Sequence, residues 1–193
     1  MSNEESKTSV LGKFLEKNIK VIGGLIAILI VFVIVAVVGS SIKTKVAEEG
    51  LSQVDMVEYA FKKDADDISA EDFKARQETA LAELETLASK GGIVGVRANM
   101  LKAEILFEQK NYDASRSAWL KAADAKKSAY TAPLCYYNAA ICSENLNDLE
   151  DAISCYEKAI SVFEQIESQG MEDYETEYNL STLYQNIQEY GKA

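Results

Sequence analysis

The chain has 193 residues, 48% of them apolar, with a single proline, no histidine and a formal charge of −11. Without histidine there is no imidazole for metal ligation or acid–base catalysis, and the acidic balance lacks the basic footprint that nucleic acid requires. The length suits one compact domain with an appendage, and abundant Ala, Glu, Lys and Leu predict an all-α fold.

Residues 1–20 read as a mostly polar tail carrying Lys7, Lys13, Lys17 and Lys20. Val21–Val38 follows with no charged or polar side chain, and Ile42 with its small neighbours extends the run towards the length that crosses about 30 Å of hydrocarbon. The alternative of a buried core helix is disfavoured because this run is apolar on every face. Val38-Gly39-Ser40 loosely fits a signal-peptide cleavage site, but the apolar run exceeds the roughly 7–15 residues of such a segment, and no lipid-accepting cysteine follows. The expectation is an uncleaved transmembrane anchor over 21–42. Four lysines precede it and only Lys43 and Lys45 follow closely, which favours a cytoplasmic N-terminus with the remainder outside.

Beyond the anchor, Ile42–Lys63 reads as a helix with Val46, Leu51, Val54, Val57 and Phe61 as its apolar points. Asp64–Ile68 is a polar connector. Ser69 is placed to cap a second helix, with Asp72 as the capping-box acid and Phe73, Ala80, Leu84 and Leu87 along its buried stripe to about Lys90. Gly91-Gly92 breaks that helix. Residues 43–92 thus form a helical pair, either a degenerate repeat or a cap on the helices C-terminal to it.

From Ile93 the pattern repeats. Between Pro133 and Val162, Tyr136, Ala139, Ala140 and Ser143 share one helical face and Ala152, Tyr156 and Ala159 another, with the polar turn Asn145–Asp148 between. Ala103, Tyr112, Ser115, Trp119 and Ala122 lie 37 residues before Ala140, Leu149, Ala152, Tyr156 and Ala159. Leu180, Ser181, Tyr184, Tyr190 and Ala193 lie 41 residues after Ala139, Ala140, Ser143, Leu149 and Ala152. The small and aromatic spacing resembles the tetratricopeptide (TPR) repeat, whose period is about 34 residues. Ala139 and Ser143 depart from its usual Leu and Tyr, Glu164 replaces its closing Pro, and the extra residues fall at Asp124–Ser128 and around Ser168–Glu172. Residues 93–193 are therefore expected to hold two full TPR-like repeats and one partial repeat. The third would have only its first helix, from Tyr174, leaving Leu180, Leu183, Tyr184 and Ile187 uncovered. A shortened sequence explains this best; the alternatives are a bare terminal cap or a self-association surface.

The chemistry of an enzyme is missing from the pattern. Cys135, Cys142 and Cys155 are odd in number and lack metal-ligand spacing, so buried free thiols are expected, with a Cys142–Cys155 bridge the less favoured option. Acid pairs such as Glu48-Glu49, Asp66-Asp67 and Glu150-Asp151 diverge on a helix. Gly91–Gly95 lacks the strand that a dinucleotide-binding loop needs. No enzyme, metal or cofactor is expected. Residues 42–193 carry 16 Lys/Arg against 28 Asp/Glu, −12, read as a solvated acidic surface.

The TPR resemblance implies a peptide-binding concave face made by each repeat's first helix. By position it would present Arg97, Met100, Glu104 and Phe107, then Leu134, Tyr137, Ile141 and Glu144, then Glu175, Tyr178 and Thr182. Met100, Tyr137 and Tyr178 stand where cochaperone TPR domains carry lysines for acidic tails, so an apolar, aromatic, acid-edged groove for extended or unfolded protein segments is expected instead. The whole layout is similar to the YfgM-type TPR proteins of the bacterial inner membrane, which accompany the Sec translocon and periplasmic chaperones. That resemblance implies a non-enzymatic, single-pass module with an extracytoplasmic domain, aiding handover of secreted or envelope proteins from translocon to chaperones. A structural scaffold or oligomerisation module of a membrane complex is the alternative.

Overall fold

The structure, a computed structural model, describes residues 2–126 and 130–168. Among the described residues it is all-helical: α1 (Ser2–Lys62), a 3-10 turn (Ala65–Asp67), α2 (Ala70–Ala88), α3 (Gly92–Glu108), α4 (Tyr112–Ala125), α5 (Ala132–Asn145) and α6 (Leu149–Ser168). The chain divides into two units, Met1–Val46 and Ala47–Ala193. The expected third repeat at Tyr174–Ala193 lies outside the described residues.

In the first unit the polar tail is itself helical, because no proline separates it from the apolar run and its glycines weaken the helix without ending it. An 18-residue window of this helix reaches a mean hydropathy of 3.4, and none of that window is buried by the protein. Among the described residues there is therefore one helix, at the N-terminus, long and apolar enough to cross a membrane.

The second unit is built on two clusters of apolar side chains that share α3. In the first, Val54, Val57 and Phe61 of α1 meet Ala80, Leu84 and Leu87 of α2 and Val94, Ala98, Leu101 and Ile105 of α3. Fully burying a side chain such as Leu84 stabilises the fold by about 1.5–3 kcal/mol. Val46 lies exposed, so the apolar face of this part of α1 starts later than its spacing suggested. Gly50 is buried where α1 meets α3: a Cβ there would come within 2.8 Å of the Val94 side chain. Phe61 and Phe73 pack with ring centroids 5.3 Å apart. Ser69 caps α2 as its sequence suggests, its Oγ accepting from the Asp72 N–H at 3.1 Å and donating to the Asp72 carboxylate at 2.7 Å.

The second cluster joins Val96, Met100 and Ala103 of α3 to Trp119 and Ala122 of α4, Cys135 and Ala139 of α5, and Cys155 of α6. From α2 onward each helix packs on the next in the chain. Asn99, buried, donates both to Ala88 O, near the end of α2, and to Gly95 O, each at 2.8 Å. A polar side chain in the core is thereby satisfied.

The turns α3–α4 and α5–α6 are the same structure placed 37 residues apart. Lys110 and Asn147 hold left-handed φ values of 59° and 57°. Lys110 N donates to Phe107 O and Asn147 N to Glu144 O, at 2.8 and 2.9 Å. Asn111 N donates to Leu106 O and Asp148 N to Ser143 O, both at 2.9 Å. These two bonds per turn define the Schellman ending of a helix. Ala103 and Ala140, which fall at the same offset, are both fully buried, as close helix approach requires.

Candidate partner-binding groove

The face built from α1, α3 and α5 holds a cavity of about 560 Å³ lined by Lys62, Glu104, Phe107, Glu108, Trp119, Asn138 and Ile141. Glu104, Phe107 and Glu108 come from the last turns of α3, one helical face apart by spacings of three and four. Trp119 reaches the cavity from α4, and Lys62 is the last residue of α1. The edge-on packing of Phe107 and Tyr112, centroids 5.2 Å apart, holds the Phe107 ring in place.

Charge is distributed unevenly over this face. Lys62 Nζ donates to Glu58 Oε1 at 2.7 Å, and Arg97 Nη2 donates to Glu58 Oε2 at 3.0 Å and lies 3.6 Å from Asp55 Oδ1. The hydrogen bond from Lys62 holds the Glu58 carboxyl below the usual carboxylate range, burial opposing and Arg97 assisting. Glu108 accepts from Gln77 Nε2 at 3.1 Å, and Gln77 in turn accepts from Gln109 at 3.1 Å. Glu104 is half-buried and forms no hydrogen bond or ion pair with the described residues. Burial pushes its carboxyl above the usual range; Lys62 and Arg97 pull the other way, while Glu58 and Glu108 add to the rise.

Of the residues expected in a groove, Glu104, Phe107 and Ile141 meet in this cavity. Arg97 lies on the same face of α3 but is engaged by α1. Met100 is a correction: it is buried in the second core cluster, among residues of α4, α5 and α6, and not open to solvent. Tyr137 is half-buried with its ring 5.6 Å from that of Tyr156 on α6, and Leu134 and Glu144 lie outside the cavity. Glu175, Tyr178 and Thr182 lie outside the described residues. Sequence reasoning missed Lys62, Glu108, Trp119 and Asn138. Lys62 was legible in principle, four residues after Glu58 and seven after Asp55 on one face of α1.

The three cysteines are free and buried. Burial pushes the Cys135 thiol up to about 12 and raises those of Cys142 and Cys155 as well, so all three stay protonated and unreactive near neutral pH. Among the described residues no three acidic or cysteine side chains are grouped to hold a metal ion.

A family model described as a domain of unknown function (DUF6340) matches residues 101–190, which is 90 of the 193 residues. The similarity runs from within α3 and takes in both recurring turns. No curated protein matches the chain, and no solved structure does.

Proposed function

We propose that the chain is a non-enzymatic, membrane-tethered interaction module whose second unit is a TPR-like solenoid, binding extended segments of other proteins along the α1–α3–α5 face. The observation that carries this reading is the cavity on that face, where α1, α3 and α5, with Trp119 from α4, bring aromatic, apolar and acidic groups together. The turn recurring at 37 residues supports a repeat architecture, and the apolar run of α1 supports a tether. The lysine bias around that run supports a domain on the outer side of a bacterial inner membrane, where emerging secreted or envelope proteins pass from translocon to chaperones. Tethering raises the local concentration of the groove near such chains without any new contact.

The test is site-specific photocrosslinking of the full chain in membranes to a permanently unfolded polypeptide of known sequence. A crosslinker at Ile141, in the cavity, is compared with one at Ile153, exposed on α6. Adducts at Ile141 and not at Ile153 are expected. Equal yields at the two positions, or none at either, would rule out binding through this face.

A further inference from the structure

We propose that the groove selects basic clients: a lysine or arginine side chain of an extended segment enters the cavity, its cationic end on Glu104 and its stem along Phe107, Trp119 and Ile141. The inference rests on the groove reading and adds the chemistry of what enters. Three charged residues line the cavity, and two have partners: Lys62 is held by Glu58 and Glu108 by Gln77. Glu104 alone of the three has no hydrogen bond or ion pair among the described residues, only the longer-range charges of Lys62 and Arg97.

A half-buried carboxylate that accepts no hydrogen bond from the described residues loses hydration that the charges of Lys62 and Arg97, acting without direct contact, only partly offset: burial still outweighs them and raises the Glu104 carboxyl. An apolar ligand would remove still more water from it. An anionic ligand would need Lys62, whose ammonium is already bonded at 2.7 Å, and would meet the carboxylates of Glu58, Glu104 and Glu108. A cation restores what burial removed. Lysine and arginine also carry an alkyl stem that suits the apolar side of the cavity, and an aromatic ring beside the charge adds attraction.

The experiment uses the full chain in lipid nanodiscs and three fluorescent peptides, extended and identical except for a central lysine, norleucine or glutamate. Binding is read by anisotropy. The lysine peptide is expected to bind about tenfold more tightly than the norleucine peptide, with the difference lost in Glu104→Gln and kept in Glu48→Gln, an exposed acid of α1. Unchanged urea unfolding of Glu104→Gln, followed by Trp119 fluorescence, shows that the variant is folded. Equal binding of the lysine and norleucine peptides, or a preference that survives Glu104→Gln, overturns the inference while the groove reading stands. Tighter binding of the glutamate peptide overturns it in favour of Lys62. Binding of no peptide overturns both.

Discussion

The hairpin α3–α4 and the hairpin α5–α6 share the backbone of their turns and a set of small buried positions, and differ in the polar groups around them. At the 37-residue offset Ala103 matches Ala140, Ser115 matches Ala152, Ala118 matches Cys155 and Ala122 matches Ala159, and all eight are buried. The polar bonds differ. In the first hairpin Ser115 Oγ donates to Ala103 O at 2.7 Å; in the second, Ala152 has no such group, and Ser143 Oγ donates to Asp151 at 2.6 Å instead. Tyr112 packs on Phe107, while its counterpart Leu149 is exposed. What recurs is what a tight turn and two close helices demand of any sequence. What diverges faces a neighbour: Arg116 of α4 lies 3.3 Å from Asp148 and 3.1 Å from Asp151, stitching one hairpin to the next.

The two hairpins part most sharply at Gly95 and its counterpart Ala132. A Cβ on Gly95 would lie 1.7 Å from Lys90 O, closer than any real contact, because the chain entering α3 folds back over it. Ala132 opens α5 and its Cβ is accommodated there, buried. Gly95→Ala is expected to cost about 3 kcal/mol, the upper range for overpacking. Ala132→Gly should cost only about 1 kcal/mol, the loss of helix propensity. Urea unfolding of the full chain, followed by the single tryptophan at position 119, measures both. Equal costs would mean that the two helix starts are interchangeable after all.

A second difference is electrostatic. The hydrogen bond from Ser143 holds the Asp151 carboxyl below the usual range, burial opposing and Arg116 adding to the effect. A carboxyl with a depressed folded-state pKa contributes stability that is full above the unfolded value and is lost as pH falls through the folded one. Asp151→Asn should therefore cost about 1 kcal/mol near neutral pH, after allowing for solvent screening of a partly exposed pair. The gap between variant and parent should close on the acid side of the usual aspartate range. A gap that stays constant with pH would show that shape, and not charge, joins the hairpins.

Much of this is legible in the sequence. The stripe Val54–Val57–Phe61 and the Ser69 cap follow from helical spacing and local capping chemistry, and the 37-residue offset follows from small residues that cannot be enlarged where helices touch. The cavity is only half legible. Glu104, Phe107 and Ile141 are reachable by repeat position, but Met100 is misplaced by the same rule, since a long apolar side chain suits a groove and a core equally well. Lys62 escapes because spacing alone leaves the end of α1 as part of a degenerate repeat or a cap, whereas that helix supplies a wall of the cavity. Asn99 escapes because its partner, Ala88 O, belongs to another helix, and no periodicity reports such a bond.

The smallest effect tests the part of the two hairpins that looks most alike. Lys110 and Asn147 occupy the same left-handed position with φ within 2° of each other, 59° against 57°. For an ordinary L-residue this conformation costs about 1–2 kcal/mol, while asparagine visits it more readily through its short polar side chain. Glycine removes the strain but gives the unfolded chain more freedom, which takes back about 0.4–1 kcal/mol. Lys110→Gly should thus stabilise the protein by about 0.5 kcal/mol, and Asn147→Gly should leave it within about 0.3 kcal/mol of the parent. Both shifts are readable as changes in urea midpoint at constant slope. If Asn147→Gly gave the larger gain, the strain would lie in the second turn, and the match in φ would hide a difference in how the two helix ends are held.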